Sequence, residues 1–130
     1  MDTDRNDVSL SDVQLTLMRV LWARPDSSTA DIVEALHAQR PMAHTTVATM
    51  LTRLEKRGVV HATRDGRQLI YRAAISESQV QRSMVSGMLS NLFQGNARAL
   101  LSHLLREDEI GADDLEQLKA LIERKGKSDV

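Results

Sequence analysis

The sequence predicts a mainly α fold with a small β-hairpin: a winged helix-turn-helix plus a C-terminal helical dimerisation region. Three observations predict it. Capping residues open successive helical stretches, at Ser11, Thr29, Ser76 and Asn96. After the third stretch the pattern changes to strand, tight turn and strand, in Val59-Val60-His61-Ala62-Thr63, Asp65-Gly66 and Leu69-Ile70-Tyr71-Arg72. Beyond Ala73-Ala74 the chain returns to helices whose apolar stripes are wide for so short a segment.

The elements follow in order. Ser11 with Gln14 forms a capping box, Leu10 can staple to Leu15, and Val13, Leu17, Val20 and Leu21 recur at helical spacing until Arg24-Pro25-Asp26. Thr29 opens a short second helix with Ile32, Val33 and Leu36 as its stripe, broken at Gln39-Arg40-Pro41-Met42. The third helix runs from His44 to Arg57, with Val47, Met50, Leu51 and Leu54 on one face and Gly58 just past its end. The hairpin follows. Ser76 and Gln79 make a second capping box, and Val80, Met84, Val85, Met88, Leu89, Leu92 and Phe93 mark a long helix as far as Gly95-Asn96. Two further helices carry Leu100, Leu101, Leu104 and Leu105, then Leu115, Leu118, Leu121 and Ile122.

Composition narrows the class. A chain of 130 residues fits one compact domain, or a small domain with an appendage. Trp22, Tyr71 and Phe93 are its three aromatics, so the core is expected to be aliphatic. With no Cys, disulfides and thiolate metal sites are excluded, which is compatible with a cytoplasmic location. No apolar run approaches the roughly 18 residues of a membrane helix, so no membrane insertion is expected. Met1 to Asp7 is acidic and polar, unlike a signal peptide. The expected organisation is a disordered N-terminus over 1–8, a winged-helix domain over 9–74 and a helical dimerisation tail over 75–130.

The net charge of -1 argues for no partner, but its distribution does. From Arg40 to Arg72 stand seven bases, Arg40, Arg53, Lys56, Arg57, Arg64, Arg67 and Arg72, against two acids, Glu55 and Asp65. Such a patch suits a phosphate-facing surface, and also an ordinary solvated face. The third helix discriminates between these. Opposite its apolar stripe lie Thr45, Thr46, Thr49, Thr52, Arg53 and Lys56, with no acid among them. Thr suits a close-packed major groove, since its hydroxyl can bond a base edge or phosphate and its methyl can touch a thymine methyl. Arg53 and Lys56 lie further along, where phosphates would be met, and His44 at the helix start could also meet one. Arg64 and Arg67 flank the hairpin turn and form the wing.

The four His, His37, His44, His61 and His103, fall on separate elements without the spacing of a helical metal pair, and no catalytic or nucleotide-binding motif appears. The chain therefore reads as no enzyme, with no metal and no cofactor. The tail stripes ask for a partner, and the simplest is a second copy related by a two-fold axis. Val80, Met84, Met88, Leu92, Leu101, Leu104, Leu118 and Ile122 are the expected dimerisation residues. The alternative is a winged-helix module that binds protein without DNA. Salt-dependent retention on heparin separates the two.

The stretch Thr45 to Val60, T-T-V-A-T-M-L-T-R-L-E-K-R-G-V-V, resembles the recognition region of the penicillinase-repressor (BlaI/MecI/CopY) family. Leu10-Ser11 with Val20-Leu21-Trp22 is similar to its first helix, and Gly66-Arg67 with Tyr71 to its wing. The resemblance covers residues 9 to 125. It implies a homodimeric transcriptional repressor, with double-stranded operator DNA as partner and the tail helices forming the dimer. In well-known members a membrane-bound sensor metalloprotease leads to cleavage at an Asn-Phe pair in the tail. Ser102-His103 stands at that position here. Copper-responsive members carry a Cys-rich tail, which this chain lacks.

Overall fold

The computed structural model describes residues 8–128. Residues 1–7 of the expected disordered N-terminus lie outside them. Val8, the last residue of that expectation, is placed: it is half-buried, and its N–H donates to Ser83 Oγ at 2.6 Å. The chain divides between Val85 and Ser86 into two compact units. The break falls beyond the expected 74/75 boundary because Val80 is buried in the first unit's core and Met84 packs against it.

Helix α1, Asp12–Ala23, starts at the expected capping box: Ser11 Oγ accepts from the Gln14 N–H at 3.2 Å, and Gln14 Oε1 accepts from the Ser11 N–H at 2.9 Å. It buries Leu17, Met18 and Leu21. A two-residue strand β1, Ser27–Ser28, follows, and then helix α2, Thr29–Leu36. The cap of α2 is Ser28 rather than Thr29, in a box with Asp31 at 3.1 and 3.0 Å. Those hydrogen bonds, first the one from the Ser28 backbone, hold the Asp31 carboxyl below the usual carboxylate range.

Helix α3, His44–Lys56, buries Val47, Leu51 and Leu54 completely. Gly58, at φ +79°, takes the left-handed turn that releases the chain into the sheet, where a side chain would be strained. Strands β2, Val60–Asp65, and β3, Gln68–Ala73, pair antiparallel around Gly66 at φ +65°. The sheet is three-stranded, in the order β1-β3-β2, where the sequence predicted two strands. β1 pairs Ser27 with Tyr71 and Ser28 with Ile70. Two serines carry no strand signal of their own, and the pairing is imposed by the neighbouring strand.

The first unit is closed by Trp22, whose indole Nε1 donates to the Ile75 carbonyl at 2.9 Å, tying α1 to the exit of the hairpin. Trp22→Phe is expected to cost about 1 kcal/mol, read as a lower urea midpoint with unchanged slope, because it removes that bond and keeps most of the ring.

Helix α4, Glu77–Phe93, begins at the expected Ser76–Gln79 box and crosses from the first unit into the second. The second unit holds the rest of α4 with α5, Ala97–Arg106, and α6, Ala112–Ser128. Asn96 Oδ1 caps α5 by accepting from the Ala99 N–H at 3.0 Å, as predicted. None of the described residues of this unit is buried. No helix among the described residues is long and apolar enough to cross a membrane.

Candidate nucleic-acid interface

Because α3 buries Val47, Leu51 and Leu54, its other side must face solvent. His44, Thr45, Thr46, Thr49, Thr52, Arg53 and Lys56 are all exposed. No side chain caps the helix at Ala43, so the N–H groups of its first turn are not taken up by a cap residue and can meet a phosphate oxygen. Arg53 and Lys56 lie in the last turn.

Strand alternation decides which hairpin residues join this face. In the register Arg64 pairs with Leu69 and Ala62 with Tyr71, while His61 pairs with Arg72. Successive side chains on a strand point to opposite sides, so Arg64, Leu69 and Tyr71 share one face and His61, Thr63 and Arg72 the other. A groove of about 430 Å³ follows, in which His44 and Thr52 of α3 meet Arg64, Arg67 and Gln68 of the wing and Thr29 of α2. Four of the predicted DNA-facing residues, His44, Thr52, Arg64 and Arg67, therefore come together in one groove. Thr45, Thr46, Thr49, Arg53 and Lys56 are exposed on the same helix outside its lining.

Thr29, Gln68 and Leu69 were not foreseen in this lining. The sequence pattern makes Thr29 a cap, but Ser28 takes that role and Thr29 is the first residue of α2. Leu69 is an exposed apolar residue on the wing, a position that strand alternation with Tyr71 could have flagged.

Two bases of the predicted patch face elsewhere. Arg72 Nε and Nη2 donate to both carboxylate oxygens of Asp26, at 2.9 and 2.7 Å. These bonds hold the Asp26 carboxyl below its usual range and push the Arg72 guanidinium up. Arg57 Nη2 donates to the Ser9 carbonyl at 3.0 Å. Arg53, Lys56, Arg64 and Arg67 have no ion-pair partner among the described residues and keep their charge for a ligand.

The hydroxyls of Thr49 and Thr52 are committed. Thr49 Oγ1 donates to the Thr45 carbonyl at 2.9 Å, and Thr52 Oγ1 to the Ala48 carbonyl at 3.0 Å.

The expected dimerisation residues divide. Val80 is only 1% exposed, inside the first unit's core, and Met84 packs against that core. Both were expected to face a partner. The structure commits them to the first unit instead, Val80 fully and Met84 in part, because the start of α4 belongs to that unit. Met88, Leu92, Leu101, Leu118 and Ile122 are exposed, and Leu104 is half-buried. Within the second unit the ring of His103 stands edge-on to Phe93, with centroids 6.3 Å apart.

The chain matches the family model described as penicillinase repressor over residues 10–124. The transcriptional regulator BlaI of Mycobacterium tuberculosis (strain CDC 1551 / Oshkosh) is 33% identical over 112 residues, covering 85% of this chain and 80% of that protein. The methicillin resistance regulatory protein MecI of Mammaliicoccus sciuri is 21% identical over 122 residues, covering 94% of this chain and 99% of that protein. Among solved structures, that of the DNA-binding domain of the repressor BlaI covers 55% of this chain and 87% of its own, at 31% identity and a TM-score of 0.50.

Proposed function

The chain belongs to the penicillinase-repressor family of DNA-binding transcriptional repressors, and from that premise we propose that it acts as a homodimer, each protomer placing α3 in one major groove of a two-fold operator so that occupancy blocks transcription. The observation that carries the reading is the groove in which His44, Thr52, Arg64 and Arg67 converge. In this reading His44, Arg64 and Arg67 hold phosphates around the entry of α3, Thr45, Thr46, Thr49 and Thr52 face base edges, and Arg53 and Lys56 hold the backbone beyond them.

Arg67→Ala tests the phosphate role. Losing one phosphate contact weakens binding to operator and random duplex by a similar factor and flattens the slope of log affinity against log salt by about 0.9. Fluorescence anisotropy across a salt series measures both. An unchanged slope, or a loss confined to operator, counts against the assignment.

The dimer is supported by the second unit, where Leu92 and Ile122 are each 69% exposed and none of the described residues is buried. A second copy meets this with the same apolar surface. Such a dimer works where the operator DNA is, in the cytoplasm. A membrane-bound sensor protease enters the proposal only as an indirect partner. Ser102-His103 stands where well-known members carry Asn-Phe, and the bond between them lies inside α5, so a protease would first have to open that helical turn.

A further inference from the structure

Resting on the operator reading above, we infer that Thr49 and Thr52 read base pairs through their methyl groups, so that the half-site presents thymine methyls where these two residues meet it. Both side chains are exposed, and they stand three apart on one face of α3. Each hydroxyl proton is already spent on the helix's own backbone, at 2.9 Å for Thr49 and 3.0 Å for Thr52. Neither hydroxyl can therefore donate to the N7 or O6 acceptors of guanine without breaking that bond. What each side chain offers a base edge is a methyl group and an oxygen lone pair.

The helix supplies no paired donor before Arg53. From His44 to Thr52 there is no Arg, Lys, Asn or Gln, the side chains that read guanine or adenine by paired hydrogen bonds. Arg53 lies beyond, in the last turn. The middle of the recognition helix is thus an apolar reader, and the apolar feature of the major groove is the C5-methyl of thymine. The lone pair is the competing reader, since it could accept from an adenine or cytosine amino group. The experiment separates the two.

Selection from random duplex DNA with the full-length protein defines the preferred site. Deoxyuridine then replaces each thymidine of that site in turn, removing one methyl at a time. Where Thr49 or Thr52 sits, the natural protein is expected to lose about fourfold in affinity per methyl removed, the value of one buried methyl-sized group. Thr49→Val keeps the methyl and drops the hydroxyl, and is expected to retain both the site preference and the deoxyuridine penalty. Thr49→Ser keeps the hydroxyl and drops the methyl, and is expected to bind the natural site about fourfold more weakly and to ignore the deoxyuridine exchange. The same pair is made at Thr52. At these exposed positions Thr, Val and Ser are close in helix propensity, so the fold is preserved. Loss of site preference in the Val variants, or indifference of the natural protein to deoxyuridine, overturns methyl readout while leaving the operator reading intact. Failure of the natural protein to select any site overturns the operator reading, and methyl readout with it.

Discussion

Leu92→Asp is expected to yield a monomer at micromolar concentration and to lower operator affinity by about two orders of magnitude or more. The side chain is 69% exposed on α4, so the substitution removes little packing from its own chain. In the proposed dimer the same position is buried against a second copy, and a carboxylate there must either lose its hydration or force the helices apart. The effect on DNA follows from linkage of the half-sites. Once one protomer is bound, the dimer holds the other near the second half-site at an effective concentration in the millimolar range, and a monomer has no such advantage. Sedimentation velocity reads the first effect and binding to full and half operators the second. The monomer should bind the half operator as well as the natural protein does, because the α3 surface is untouched. A dimer of unchanged dissociation constant would show that the interface lies elsewhere.

Val80→Asp provides the contrast. Both residues belong to the predicted stripe of one helix, yet Val80 is buried in the first unit with Leu17, Leu21 and Leu51 in the same core. Its substitution acts on folding and not on association. Helical periodicity places Val80, Met84, Met88 and Leu92 on one side of α4 but does not say which stretch of that side is covered by which neighbour. The distinction needs the third dimension, and the sequence held no signal for it.

Other parts were readable because their causes are local. The Ser11–Gln14 and Ser76–Gln79 boxes and the Asn96 cap are set by residues three apart, and the turns at Gly58 and Gly66 by a backbone conformation that glycine favours. Strand β1 was not readable, since Ser27 and Ser28 become a strand only by pairing with Tyr71 and Ile70. The basic patch was read partly. Counting charges along the chain put Arg57 and Arg72 with Arg64 and Arg67. The side-chain directions separate them: Arg72 turns to Asp26, and Arg57 to the Ser9 carbonyl. For Arg72 a signal existed, because it follows Tyr71 on the predicted strand and must face the opposite way from Leu69 and Tyr71.

The position of α3 comes from its buried face, and Leu51→Ala tests this most severely. Leu51 has no exposed surface and sits on the inner stripe with Val47 and Leu54. Its truncation should cost about 2–5 kcal/mol, the transfer free energy of the lost methyl groups plus the cavity left behind. Against the roughly 5–15 kcal/mol that holds a typical domain, that is a large fraction. The melting temperature should fall by on the order of 10 °C or more, since each kcal/mol shifts a domain of this size by about 4–8 °C. DNA binding near the physiological range should fall in proportion to the unfolded fraction. At low temperature, where most of the variant is folded, affinity per folded molecule should return to within a few-fold of the natural protein, because no residue of the exposed Thr, Arg and Lys face has changed. Scanning calorimetry and binding titrations at two temperatures make the comparison. A loss of affinity at full folding would mean that Leu51 sets the angle of α3 as well as its stability, and a loss of neither would contradict its place in the core.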